Sequence, residues 1–202
     1  MSEQSDPMAL GMKDSVVHHP DLYILRHGET VWNREGRFQG HADSPLTEKG
    51  RTQALRQRAL LTAVGSAPEK RFCSPQGRAV QTAQLALDGA EPVIFDDRLK
   101  EIHFGSWEGR TREDIRSVID CPFESGLWYF RSPGGETFGS ISCRVRSFLA
   151  DLSEPATVVT HGITSIVLRG LCLGLDQAGM LKLPKHQGCI FHLSAGKETI
   201  LL

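Results

Sequence analysis

Short apolar, β-branched runs alternate along this chain with longer segments of helical periodicity, and that alternation limits its fold more than any other feature. Asp21–Leu25, Lys70–Ser74, the brief Pro92–Phe95 and the run Ala156–Thr160 read as buried strands. Between them the sequence predicts a helix from Thr47 to about Gly65, with Ala54, Leu55, Leu60, Leu61 and Val64 as its apolar stripe. Further helices are predicted over Gln76–Asp88, Thr137–Leu152 and Ile163–Leu173, and closing strands over Cys189–Ser194 and Thr199–Leu202. Gly28–Ser44 reads as a loop. The middle, Arg98–Glu136, is less regular, with helices expected near Thr111–Ile119 and Phe123–Phe130. The pattern implies an α/β fold, a three-layer αβα sandwich around a mostly parallel sheet covered on both faces.

A chain of 202 residues fits one domain, expected over residues 20–202, preceded by a flexible tail over residues 1–19 that lacks sustained periodicity. That tail has no basic region followed by an apolar stretch, so no secretory signal is expected. No apolar run reaches the roughly 20 residues a membrane span requires. The five cysteines, Cys73, Cys121, Cys143, Cys172 and Cys189, are widely spaced and match neither a disulfide framework nor a zinc pattern. A reducing, cytoplasmic setting is the expectation. The formal net charge of −1 argues against a nucleic-acid binder, whose footprint is a strong basic excess. It leaves room for a small anion, which a few local arginines hold without changing the total.

In parallel sheets ligands bind beyond the carboxyl ends of the strands, so the residues just after each strand carry the functional reading. Arg26, His27 and Gly28 follow the first strand. Ser74, Pro75 and then Arg78 follow the second, and His161 with Gly162 follows the Ala156–Thr160 strand. Two imidazoles and two guanidiniums at one rim suit phosphoryl transfer. Arginine offers a permanently charged planar fork that matches phosphate oxygens. A neutral imidazole serves as covalent nucleophile, and a protonated one stabilises the transferring oxygens. Amides at the start of the helix after His161 would add anion-binding capacity. A departing alkoxide needs a proton, for which Glu101 is the candidate, in apolar and aromatic surroundings that would favour its acid form. Glu108 remains the alternative. No metal-binding carboxylate cluster is visible, and no cofactor is expected.

These blocks resemble the histidine phosphatase (phosphoglycerate mutase-like) superfamily from about Leu22 to His192. They are L-R-H-G-E-T at Leu25–Thr30 with Trp32 and Asn33, then G-R-F-Q-G-H-A-D-S-P-L-T-E-K-G at Gly36–Gly50 and S-P-Q-G-R-A-V-Q-T-A at Ser74–Ala83. The block L-K-E-I-H-F-G-S-W-E-G at Leu99–Gly109, P-G-G-E at Pro133–Glu136 and V-T-H-G at Val159–Gly162 follow in the family's order. The resemblance implies a phosphoglycerate mutase-like fold and metal-independent chemistry. It implies that His27 becomes phosphohistidine, that Arg26, Arg78 and His161 form the phosphate pocket, that Glu101 moves the proton, and that Asn33 and Gly162 contact substrate. Only 23 residues separate Gly109 from Pro133, and Phe104 stands where the cofactor-dependent mutases place a tyrosine. Both departures resemble the short phosphatase branch, which includes α-ribazole phosphatases, fructose-2,6-bisphosphatase domains and broad-specificity phosphatases.

The expected activity is therefore hydrolysis of a small phosphorylated metabolite, without nucleic-acid or membrane partners. The oligomeric state is open, a homodimer included. Mutase-type transfer and a non-catalytic phospho-ligand module are the alternatives. Of the remaining residues, His103 is expected to be a local hydrogen-bonding group, and Phe104 and Trp107 wall or core. Arg37, Arg112 and Arg131 read as exposed cations within reach of a substrate's distal groups. His18, His19 and His41 read as surface groups, and Cys73 as an unreactive neighbour of the site.

Overall fold

A computed structural model describes residues 19–65, 68–87, 89 and 92–202. The expected tail, with His18, lies outside the described residues apart from His19. Strand β1 (Leu22–Arg26) leads through a short helix α1 (Val31–Arg34) to α2 (Glu48–Val64), β2 (Lys70–Cys73), α3 (Gly77–Ala86) and β3 (Val93–Phe95). Then come α4 (Arg112–Arg116), α5 (Phe138–Ala150), β4 (Ala156–Thr160), α6 (Gly162–Cys172) and α7 (Gln177–Lys182). The hairpin β5 (Ile190–Ser194) and β6 (Lys197–Leu201) closes the chain.

The six strands form one sheet in the order β3-β2-β4-β1-β5-β6. β3, β2, β4 and β1 run parallel, whereas β5 lies antiparallel to both β1 and β6. Alternation along β1 sends Leu22 and Ile24 to one face and Tyr23 and Leu25 to the other. On the first face they join Val158 of β4 and Ile141, Val145, Phe148, Ile166 and Val167 of α5 and α6. On the second they meet Leu61, Ala79, Ala83 and Ala86 of α2 and α3. The result is the three-layer sandwich read from the alternation. Each fully buried Val, Leu or Ile side chain contributes about 1.5–3 kcal/mol to holding the layers together.

Local signals fix several boundaries. Thr47 caps α2, its hydroxyl accepting from the Gly50 N–H at 3.1 Å, and Gly65 ends the helix at φ 73°. The middle segment is less helical than expected. α4 stops at Arg116, and Phe123–Phe130 forms two 3-10 turns, Phe123–Ser125 and Leu127–Phe130, parted by Gly126 at φ 69°. Packing overrides helical periodicity there: Trp128 stacks on Phe123 at 4.6 Å and donates its indole N–H to the Phe123 carbonyl at 2.8 Å. The last strand starts at Lys197, two residues before the expected Thr199, because Ala195 and Gly196 at positive φ make a two-residue hairpin turn. Among the described residues no helix is long and apolar enough to cross a membrane.

Candidate active site

The order β2-β4-β1 sets three strand ends side by side, and backbone hydrogen bonds lock them there. The His27 N–H donates to the Thr160 carbonyl and the Ser74 N–H to the Val159 carbonyl, both at 3.0 Å. His27 and His161 thereby meet with ring centroids 5.2 Å apart and planes tilted by 57°. Gly28 is required by packing: a Cβ there would stand 2.2 Å from the Gly50 carbonyl oxygen of α2.

The buried His27 ring bonds the Gly28 carbonyl through Nδ1 at 2.8 Å. A carbonyl only accepts, so Nδ1 carries the proton and Nε2 holds the lone pair. Burial, reinforced by the charges of Arg78 and Arg26, holds the His27 pKa well below the usual imidazole value. The neutral ring is the nucleophilic one. His161 is fully buried, and its Nε2 pairs with the Ser74 hydroxyl at 2.7 Å. Burial, then Arg78, His27 and Arg26, likewise push its pKa well below the ordinary value. In the free site both shifts favour the neutral imidazole, at His161 as at His27. In an NMR titration of the free protein, both rings should keep neutral-form shifts to below pH 6.5, because a depressed pKa extends the neutral form towards acid. A His27 midpoint at or above pH 6.5 would contradict this.

Arg78, only 1% exposed, opens α3. Its guanidinium donates to the Ala42 carbonyl at 2.9 Å, the Gly40 carbonyl at 2.8 Å and the Asp43 carboxylate at 2.9 Å. Arg26 ends β1, lies against Gly162 and donates Nη1 to the Lys185 carbonyl. Three buried donor-bearing atoms here have no protein partner: Nε of Arg26, Nε of Arg78 and Nδ1 of His161. Buried polar atoms are rarely left so, and three flanking one imidazole suit a ligand with several acceptor oxygens.

Glu101 lines the same cavity, but in surroundings unlike those expected. Its carboxylate accepts the N–H groups of Ile163 and Thr164, at 3.1 and 3.0 Å, from the first turn of α6, and that of Ile102 at 3.1 Å. Those α6 amides, expected to serve an incoming anion, are engaged by Glu101 instead. Gln76 fixes its backbone: Oε1 accepts the Glu101 N–H and Nε2 donates to the Gly40 carbonyl, both at 2.7 Å. Glu108 points elsewhere, its carboxylate accepting from the His41 and Ala42 N–H groups at 2.7 and 3.0 Å. Asn33 Oδ1 accepts from the Thr30 N–H at 3.3 Å and from Gln187 Nε2 at 3.2 Å. Gln187 also donates to the His27 carbonyl at 3.0 Å.

The cavity above these groups measures about 310 Å³. Arg26, His27, Asn33, Arg78, Glu101 and Gly162 all line it, whereas the fully buried His161 does not, its ring standing 5.2 Å from that of His27. Of the cations read as exposed, Arg37 and Arg112 reach its wall, whereas Arg131 pairs with Asp120 at 3.0 Å. Sequence reasoning missed Gln39, Tyr129 and Lys185, which line it too, and the supports Asp43, Gln76 and Gln187. Gln39, Asp43 and Gln76 lie inside the motif blocks Gly36–Gly50 and Ser74–Ala83; no spacing rule marked Lys185. Phe104 and Trp107 are buried as expected, and His103 bonds the Gly134 carbonyl at 3.1 Å. Burial pushes the pKa of the Cys73 thiol up to about 12, which disfavours the thiolate. Among the described residues no three His, Cys, Asp or Glu side chains could hold a metal ion together.

The sequence model of the histidine phosphatase superfamily (branch 1) matches residues 22–202. The adenosylcobalamin/alpha-ribazole phosphatase of Escherichia coli (strain K12) is 35% identical over 178 residues, covering 83% of this chain and 86% of its own. A Salmonella paratyphi C (strain RKS4594) protein designated a probable phosphoglycerate mutase, GpmB, is 34% identical over 163 residues, covering 76% and 75%. Among solved structures, the mycobacterial glucosyl-3-phosphoglycerate phosphatase in complex with VO3 superposes with a TM-score of 0.74 at 30% identity, covering 87% of this chain and 92% of that one.

Proposed function

The chain belongs to the histidine phosphatase superfamily (branch 1), and from that membership we propose that it hydrolyses a small phosphomonoester through a phosphohistidine intermediate. One observation carries the reading. An imidazole with its proton fixed on Nδ1 lines a cavity together with Arg26 and Arg78, whose Nε atoms lack partners, and the buried His161 ring 5.2 Å from it has an unpartnered Nδ1. That arrangement supplies a nucleophile and the positive field for a phosphoryl group in one place.

In the proposed first step the Nε2 lone pair of His27 attacks phosphorus while the ester P–O bond breaks. Glu101 gives a proton to the departing oxygen, and the alcohol leaves. In the second, water attacks the phosphohistidine, Glu101 takes its proton, the P–N bond breaks and inorganic phosphate departs. His161 hydrogen-bonds an equatorial oxygen through Nδ1, and the guanidiniums hold the others. Incubation with an aryl phosphate should release phosphate at a rate unchanged by chelator. Loss of activity on chelation would overturn the metal-independent part of the reading.

Glu101→Gln keeps the size of the side chain and removes the transferable proton. Phosphate release from an alkyl ester should slow by about 10²-fold or more, and from an aryl ester, whose leaving group needs little help, much less. Equal slowing of both would remove Glu101 from the acid role.

The similarity to the GpmB protein supports a second reading, return of the phosphoryl group to its donor. It requires that 3-phosphoglycerate be isomerised faster than phosphate appears. The short Gly109–Pro133 segment favours hydrolysis.

A further inference from the structure

Two peptide planes meet at the Cα of Glu101, and their anchors differ. The Lys100–Glu101 plane is tied from within: its carbonyl accepts from the Thr164 hydroxyl at 2.6 Å and its N–H donates to Gln76 Oε1 at 2.7 Å. Thr164 and Gln76 are both buried. The Glu101–Ile102 plane carries the Ile102 N–H, which donates to Glu101 Oε1 at 3.1 Å. Its carbonyl, at the opposite edge, accepts from Nε2 of His41 at 3.0 Å.

His41, read from sequence as a surface group, is exposed, yet its Nε2 reaches the main chain of Glu101. A carbonyl only accepts, so Nε2 carries the proton. Partial burial of the ring, then the neighbouring His103, lowers the His41 pKa, so the neutral Nε2–H tautomer makes this bond. The residue is itself held in place. Glu108 accepts its backbone N–H at 2.7 Å, that of Ala42 at 3.0 Å and that of Phe104 at 3.2 Å, which joins the His41 loop to the Glu101 segment. Gly40, at φ 56°, permits the approach, since a Cβ there would stand 2.2 Å from the Glu108 carboxylate. The His103 ring packs against that of His41 with centroids 4.8 Å apart.

We infer that His41 is a positioning residue for Glu101, holding the Glu101–Ile102 peptide so that its N–H faces the carboxylate that moves the proton. The inference rests on the proton-transfer role proposed for Glu101 above. A peptide plane is rigid, so a bond at its carbonyl fixes where its N–H points, and the two bonds polarise one another across the amide. Without His41, the partner left to that plane among the described residues is the carboxylate it has to orient.

His41→Leu removes the donor, whereas His41→Gln keeps an N–H that can take the place of Nε2. With thermal unfolding as the control for folding, His41→Leu should slow hydrolysis of glycerol 3-phosphate by about tenfold, the upper scale of one hydrogen bond, and of 4-nitrophenyl phosphate much less. His41→Gln should restore most of the alkyl ester rate. In the Glu101→Gln background His41→Leu should add no further loss, because the proton it serves is already gone. Equal slowing of both esters, or a further tenfold loss in that background, would refute the inference. Amide NMR reads the same contact without turnover: the Ile102 proton should move upfield in His41→Leu and keep its wild-type shift in His41→Gln. An Ile102 proton unmoved by His41→Leu overturns the inference whatever the protein hydrolyses. In the wild-type protein the His41 nitrogen shifts should report the Nε2–H tautomer, and the Nδ1–H tautomer would overturn the inference without any variant. If no ester is hydrolysed, or if Glu101→Gln slows both esters equally, the functional reading fails instead, and the two NMR measurements decide whether His41 sets the peptide.

Discussion

His27→Ala should lower kcat for any phosphomonoester by at least about 10³-fold, equivalent to about 4 kcal/mol of transition-state stabilisation. The expectation follows from the ring's fixed tautomer. With Nδ1 bonded to the Gly28 carbonyl at 2.8 Å, Nε2 is the group's only lone pair, and no neighbouring side chain can replace it. His161 lies 5.2 Å away, but its Nε2 is engaged by Ser74. Steady-state kinetics on an aryl phosphate, with thermal unfolding as the control for folding, measures the effect. A folded His27→Ala protein within tenfold of wild type would remove His27 as nucleophile.

Arg78→Met should have the next largest effect, through two readouts that separate chemistry from structure. Its guanidinium answers the Gly40 and Ala42 carbonyls and the Asp43 carboxylate while leaving Nε unpartnered. Removing it should lower kcat/KM by about 10²-fold or more, the scale of losing one strong electrostatic stabiliser. The orphaned Asp43 and carbonyls should also cost about 1–3 kcal/mol of stability. The second readout is titration. After burial, the Arg78 charge is the largest influence holding the His27 and His161 pKa values down. Its removal should move both imidazole midpoints upward by NMR. Lost stability with unmoved midpoints would reduce Arg78 to a structural cation.

The legible part of this molecule followed from the strand ends. Arg26–His27, Ser74 with Arg78, and His161–Gly162 each follow an apolar run, and a parallel sheet brings such positions to one rim. β4 was readable because four of its five residues are β-branched and all are buried. Tertiary partners decided what was not readable. Glu101 looked apolar in sequence because its neighbours are Ile102 and Phe104, yet in space it meets the α6 amides some sixty residues on. Lys185 and Gln187 reach the site from a loop behind α7, a six-residue helix with Gly179 inside it that periodicity did not reveal. Arg112 is exposed, as its sequence setting implied, and still lines the cavity. Exposure and function coincide at a cavity mouth, where hydrophobic patterning carries no signal.

The claim on which the rest depends is that phosphorus bonds transiently to Nε2 of His27. Rapid acid-free quenching during turnover of a labelled phosphomonoester, followed by peptide mapping, reads it directly. The account predicts one phosphoryl group on the peptide containing His27, stable to base, lost in mild acid and absent from His27→Ala. Turnover that proceeds with no label on that peptide, or with label equally present in His27→Ala, would contradict it.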